Sequence, residues 1–229
     1  MKTILVAGGA GEVGEGIVRQ LLAKGHRVVV QSRSMKKINE LQDLLGDPEM
    51  LVAVQGEIGD EEGVAKLRAD IRAMGNGLDG VVATIGSWWS GPKLVDLDLA
   101  SFQRVMHDRL TTHFLVARTF LHEIQNHEGS SYTFIHGASG FIPIPKSGAV
   151  SIAGAAQVMM KDVFAKEMED KPVRINLLSM MGSIATRSHP SDDPDAITAD
   201  DVGSYVAYLS DSDLRGQTIK FSHRREIPA

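Results

Sequence analysis

Seven short, mostly apolar runs rich in β-branched residues recur along this chain of 229 residues, at 3–7, 28–30, 51–54, 80–83, 132–135, 173–178 and 218–221. Segments with helical spacing of apolar residues separate them. A strand with one wet face alternates apolar and polar residues, whereas a near-continuous apolar run has to be covered on both faces. Strands of that kind joined by helices predict an α/β protein with a doubly wound, seven-stranded parallel sheet and helices on both faces. A chain of this length suits one such domain, residues 1–229, and no linker-like stretch divides it.

In an open parallel sheet, ligands bind beyond the carboxyl ends of the strands. Function is therefore expected in 8–14, 32–34, 57–60, 84–92, 136–145 and 179–195. The first of these is Gly8-Gly9-Ala10-Gly11-Glu12-Val13-Gly14, set between the run at 3–7 and the helix-spaced Val13, Ile17, Val18, Leu21 and Leu22. Glycines let a backbone approach a pyrophosphate, and a following helix N-terminus supplies free N–H groups and a positive dipole. Dinucleotide binding is the expectation. The stretch 179–195 is the longest irregular one, of a length common in lids and binding loops.

Composition excludes several alternatives. A net charge of −5 and an acidic isoelectric point argue against a nucleic-acid surface. The absence of cysteine excludes disulfides, thiolate catalysis and cysteine-bound metals. The apolar start breaks at Gly8 and no long apolar window follows, so a soluble, unprocessed, cytoplasmic protein away from membranes is expected. His122-Glu123 and His127 resemble a zinc motif, but the second histidine falls one residue too far along to share a helix face, and no metal is expected. Gly137-Ala138-Ser139-Gly140 lacks the closing glycine of a nucleophile elbow, Phe141 standing there, which removes a hydrolase.

Together these segments resemble the short-chain dehydrogenase/reductase family over nearly the whole chain. Gly8, Gly11 and Gly14 look like its coenzyme loop, with Glu12 where many members carry glycine. Glu57-Ile58 stands where members have an aspartate and an aliphatic residue against adenine, and Arg174-Ile175-Asn176 resembles the entry to the sixth strand. Asp201-Val202 through Gly216-Gln217-Thr218-Ile219 resembles the last helix and strand. The resemblance implies a Rossmann-type fold, a nicotinamide coenzyme, oxidoreductase chemistry on a carbonyl or alcohol, and a homo-oligomer packed through the helix expected at 148–169.

The family's catalytic identities are missing. Its Tyr-x-x-x-Lys pair falls on Val150 and Gly154, and no register shift rescues it, because Tyr132, Tyr205 and Tyr208 are followed four residues on by His136, Leu209 and Ser212. The serine falls on Gly137, with Ser139 two residues away, and the asparagine falls on Arg109. The Asn-Asn-Ala-Gly turn becomes Ala83-Thr84-Ile85-Gly86, while Thr186 lies near a threonine that helps hold the nicotinamide. Arg109, His136 and Ser139 are the candidate replacements, histidine being able to exchange a proton near neutral pH. His107 and His113 lie near Arg109 in the sequence, and Trp88 and Trp89 either line a pocket, cover a core edge or meet another subunit.

The expected coenzyme set is Gly8, Gly9, Gly11, Glu12, Val13, Gly14, Ser32, Arg33, Glu57, Ile58, Thr84, Gly86 and Thr186. Neutral Ser32 would not repel a 2′-phosphate and Arg33 offers it a guanidinium, which favours NADP over NAD. Glu12 is expected either to cap its helix or to face the pyrophosphate. In the second case, like charges about 4 Å apart repel by about 1 kcal/mol in water and about 4 kcal/mol at an effective dielectric of about 20. Two functions follow: an NADP(H)-linked oxidoreductase with non-standard catalytic residues, or a catalytically silent coenzyme-binding sensor or partner subunit.

Overall fold

The computed structural model describes residues 1–75 and 77–228. The parallel sheet contains β1 (Thr3–Ala7), β2 (Arg27–Ser32), β3 (Leu51–Gln55), β4 (Gly80–Ala83), β5 (Ser131–Gly137) and β6 (Arg174–Met180). After β6 a two-residue pair, β7 (Ile184–Ala185) with β8 (Ile197–Thr198), stands apart, and β9 (Thr218–Phe221) completes the sheet of seven in the order β3-β2-β1-β4-β5-β6-β9. The doubly wound sheet expected from the sequence is present.

Consecutive strand residues feed opposite cores, which is why the strands are apolar throughout. Ile4, Val6, Val28, Val30, Val82 and Leu178 pack with α1 (Glu12–Ala23), α2 (Met35–Leu45) and α7 (Ala199–Asp211). Leu5, Ala7, Val29, Val81, Phe134 and Leu177 pack on the other face with α3 (Glu61–Ala73) and α5 (Thr112–Ile124). Side chains cap four of the helices: Ser34 for α2, Asp60 for α3, Asp98 for α4 (Leu99–Met106), and a reciprocal Thr198–Asp201 capping box for α7. Between α4 and α5 the backbone forms a π-helical turn, His107–Thr111. Nothing in the sequence patterning signals it.

α6 spans Gly148–Glu167. Its apolar circumference suggests burial on more than one side; within the single chain it buries Ala149, Val150, Ala153, Gly154, Gln157 and Lys161 and leaves Ile152, Met159 and Val163 exposed. Two of its buried residues are polar, so the stripe facing the protein is not the most apolar one. No helix among the described residues is long and apolar enough to cross a membrane.

α1 and α7 cross at backbone contact distance. A Cβ on Gly16 would lie 2.2 Å from the Ala199 carbonyl, and one on Gly203 would lie 2.3 Å from the Gly16 carbonyl oxygen. This contact seats α1, and with it the glycine turn that precedes it. Gly16→Ala or Gly203→Ala should therefore overpack the crossing, costing about 1–3 kcal/mol and lowering Tm by about 2–12 °C. The double variant should cost less than the sum, because both changes part the same pair of helices. Thermal unfolding followed by circular dichroism checks this, and an unchanged Tm in both single variants would contradict the packing argument.

Candidate functional site

β1 and β4 are neighbours in the sheet, and the chain leaves their carboxyl ends toward opposite faces, which opens a crevice between the two loops. Gly8 has φ of 79°, and a Cβ there would sit 2.4 Å from the Thr84 carbonyl oxygen, so only glycine lets the loops meet. Gly9 supports Gly14 from below, where a Cβ would come within 2.5 Å of the Gly9 carbonyl. Gly11 is the N-cap of α1 and no side chain caps that helix, so the first-turn N–H groups are left to a ligand. Val13 packs partly into the core below.

Gln31 is a residue that sequence reasoning missed. Buried at the end of β2, it accepts the Gly8 N–H on Oε1 at 3.1 Å and donates through Nε2 to the Gly56 carbonyl at 2.6 Å. It thereby fastens the loops after β1 and β3 to β2. A lone amide ending the run Val28-Val29-Val30 was the available signal.

At the outer end of the crevice, Ser32 Oγ accepts the Ser34 N–H at 3.2 Å, and Ser34 in turn caps α2. Arg33 is exposed with its Nε 3.9 Å from a Glu57 carboxylate oxygen. The Ile58 side chain is buried in the α3–α5 core, so a ligand in the crevice would meet its main chain rather than its side chain.

Arg109 occupies the middle of the π turn. Its partly buried guanidinium donates through Nη2 to the Ser87 carbonyl and lies against Gly86, where a Cβ would be 3.2 Å from Arg109 Cγ. The Arg109 carbonyl, set free of regular pairing by the π turn, accepts from Gln157 Nε2 of α6 at 2.8 Å. Among the described residues no carboxylate lies within ion-pair distance of the guanidinium, and burial pushes its pKa down. Asp108 pulls the other way but makes no direct contact.

Two histidines flank this arginine. His113 is fully buried beside Phe134, with Nε2 at 3.2 Å from the Ile85 carbonyl and Nδ1 without a partner; burial brings its pKa down to about 4, so it is neutral. A neutral ring facing a carbonyl carries its proton on Nε2. His136 pairs through Nδ1 with the Gly137 carbonyl and meets the Gly154 carbonyl; burial, and then the Arg109 charge, lower its pKa. The His136 ring also fills space. A Cβ on Gly154 would lie 2.8 Å from its Nε2, and one on Gly140 would lie 2.6 Å from its Cε1.

Val150 is buried with Ala149 and Val105 in a small cluster on which Trp89 and Phe102 pack, while Trp88 is exposed. Of the alternatives for the two tryptophans, covering a core edge describes Trp89. Ser139 is buried in the short 3-10 turn Ala138–Gly140. Arg109 thus lies against Gly86, and its charge reaches both His136 and His113.

Of the two expectations for Glu12, capping α1 is not what is found: no side chain caps that helix, and the carboxylate accepts instead from Thr186 Oγ1 at 2.6 Å and from Ser188 Oγ, with His189 Nδ1 at 3.4 Å. The Ser188 and Thr186 hydroxyls, in that order, hold its pKa below the usual carboxylate value. Arg187 adds a contact to Glu15 at 3.5 Å. The loop between β6 and α7 is latched onto the first turn of α1, and the hydroxyl of Thr186 is already engaged there.

A family model described as short chain dehydrogenase matches residues 2–195. A mouse protein, "Dehydrogenase/reductase SDR family member 4", is 24% identical over 187 residues, covering 81% of this chain and 67% of its own. The chain thus spans about two thirds of the length of that relative. The solved structure "ElxO with NADP Bound" superposes with a TM-score of 0.86 at 20% identity, covering 97% of this chain and 98% of its own. An apo short chain oxidoreductase from Pseudomonas aeruginosa, described as containing an atypical catalytic center, superposes equally well with a TM-score of 0.86 at 15% identity, covering 96% and 95%.

The latch sets an expected pH response. Glu12 titrates below its ordinary value of 4.5 in the folded protein, so the contact is fully present above that pH and weakens as pH falls through the lower folded value. Glu12→Gln removes the charge at every pH. Hydrogen exchange at neutral pH should then quicken several-fold in 182–195, including the Thr186 amide that bonds the His189 carbonyl, with the sheet amides unchanged. Equal exchange in that loop for both proteins would refute the latch.

Proposed function

Because the chain belongs to the short-chain dehydrogenase/reductase family, whose members are nicotinamide-dependent oxidoreductases, we propose that it binds NADP(H) in the β1/β4 crevice and reduces a carbonyl substrate without the family's tyrosine–lysine pair. Residues 1–229 act in this reading as one coenzyme-binding domain of a cytoplasmic protein. The observation that carries the reading is the Arg109 guanidinium, held beside the coenzyme crevice with most of its donors free.

The crevice suits a dinucleotide. Gly8 and Gly14 let the turn fold tightly against the Thr84 and Gly9 carbonyls, and the uncapped start of α1 is free to take the anionic linkage. Arg33 is free to take a 2′-phosphate, since its exposed contact with Glu57 is worth only about 0–1 kcal/mol. Ser32 brings no opposing charge.

The bound coenzyme supplies a hydride from the nicotinamide ring to the carbonyl carbon. The π pair moves onto the carbonyl oxygen, and the N–H groups of Arg109 would donate to the alkoxide as it forms. A guanidinium stays protonated near neutral pH, so the proton that completes the alcohol comes from water. His136 holds the wall of the site: its ring fills the space beside Gly140 and Gly154, and its Nδ1 is engaged with the Gly137 carbonyl. Without a positioned acid, worth about 10²–10⁴ in rate, turnover is expected to be slow.

A second reading, the silent coenzyme-binding protein, is favoured by one observation. His136 fills the space a side chain at 154 would need, and Val150 is buried. An NADPH-consumption screen over carbonyl compounds separates the two, with Arg109→Ala lowering kcat by about 10²–10³ if the enzyme reading holds. Coenzyme bound with no turnover for any carbonyl supports the silent protein.

Coenzyme choice has its own test. Arg33→Ala should weaken NADPH binding about tenfold or more, near 1.4 kcal/mol, and leave NADH unchanged in titration calorimetry. Equal loss for both coenzymes would remove Arg33 from the 2′-phosphate site.

Family members are commonly oligomeric, and the exposed stripe Ile152, Met159 and Val163 on α6, with Phe114 on α5, supports a homo-oligomer through these helices. Met159→Asp should shift the mass seen by light scattering toward the monomer. A parent chain that is monomeric up to millimolar concentration would defeat this assembly.

A further inference from the structure

We infer that the substrate is an α-oxo acid, whose ketone oxygen and neighbouring carboxylate oxygen are gripped together by Arg109. The inference rests on the carbonyl-reducing reading above and narrows it to a class of substrate.

The first argument is charge. Arg109 is partly buried, and among the described residues no carboxylate pairs with it. Burial keeps His113 neutral and lowers the pKa of His136, and Asp108 attracts the guanidinium without touching it. The cleft therefore holds a permanent positive charge with no carboxylate in contact among the described residues. A partly buried charge in that state favours an anionic ligand that can pair with it.

The second argument is geometry. Of the five N–H donors of a guanidinium, only Nη2 has an acceptor here, the Ser87 carbonyl. The rest of the fork is available to oxygen. Two parallel N–H groups on one edge match two oxygens held in one plane, as a carboxylate holds them. An α-oxo acid presents such a pair in its ketone and carboxylate oxygens. Gripped this way, the ketone carbon stays beside the coenzyme while the alkoxide forms against a cation. A simple ketone offers one oxygen and no charge, and a plain carboxylate offers no reducible carbon.

The third argument is fixation. The Arg109 main chain is tied to α6 by Gln157, and its side chain lies in the gap left by Gly86. A side chain held at both ends presents a pre-organised fork, which lowers the ordering cost of binding.

Trp88 and Trp89, the two tryptophans of the chain, lie within three residues of Gly86 and report binding without turnover. The test is a fluorescence titration of the full protein, with and without NADPH, using α-oxobutyrate, butanone, butyrate and inorganic phosphate. α-Oxobutyrate should bind at least tenfold more tightly than any of the other three, and more weakly as salt rises. Arg109→Gln should lose at least tenfold of that affinity and Arg109→Lys most of it, since an ammonium cannot offer the planar fork. Circular dichroism and NADPH titration establish that both variants fold and keep the coenzyme site.

Equal binding of butanone, or of phosphate, overturns the inference, as does α-oxobutyrate binding that survives in Arg109→Gln. Failure to bind α-oxobutyrate at all overturns it too. Failure to bind NADPH overturns the coenzyme reading instead, and the titration without coenzyme still reads the anion subsite.

Discussion

The close approach of Gly8 to the Thr84 carbonyl governs the geometry of the whole carboxyl edge. It fixes the distance between the loops after β1 and β4, and so the width of the crevice at the point where the sheet changes direction. Gln31 holds the same glycine from the other side, through its amide and its main-chain carbonyl. A side chain at position 8 would drive the loops apart and tilt α1, whose first turn begins four residues later. The α1–α7 crossing then carries this placement to the far side of the molecule, where Thr198 and Asp201 start α7.

On that rigid edge the charges are distributed unevenly. Of the two carboxylates in the first turn of α1, Glu12 is occupied by hydroxyls of the β6–α7 loop and Glu15 is paired with Arg19. The Glu12 charge is thereby partly quenched by donors. Arg109 is the reverse case, a cation with no carboxylate within ion-pair distance among the described residues. A protein that satisfies its acid and leaves its base unsatisfied is disposed to receive a negative ligand, and the two features sit on opposite flanks of the same cleft.

The fold was legible because each strand buries both faces, so residues such as Val28, Val29 and Val30 are apolar without alternation whichever core they serve. The positions of the loops followed from strand polarity alone. What escaped depended on partners remote in sequence. Glu12 meets Thr186 from 174 residues away, and the π turn at Arg109 exposes a carbonyl to which Gln157 of another helix donates. Neither leaves a local pattern. The inner face of α6 carries buried Gln157 and Lys161, while apolar Ile152, Met159 and Val163 point outward.

The changes at 136, 140 and 154 are best understood as one packing unit. A lysine introduced at 154 would start with its Cβ 2.8 Å from His136 Nε2 and 3.0 Å from the Gly140 Cα, inside a wall with no slack. It can be accommodated only after the ring at 136 is made smaller. A tyrosine at 150 would likewise begin inside the cluster of Val105 and Ala149, beneath Trp89 and Phe102, with no polar atom of that cluster to receive its hydroxyl. Substitutions that touch one another in this way are not additive, so the order in which they are made decides which intermediates fold. The space that a side chain at 154 would need is held by the His136 imidazole, so this wall of the cleft is packing around a ring.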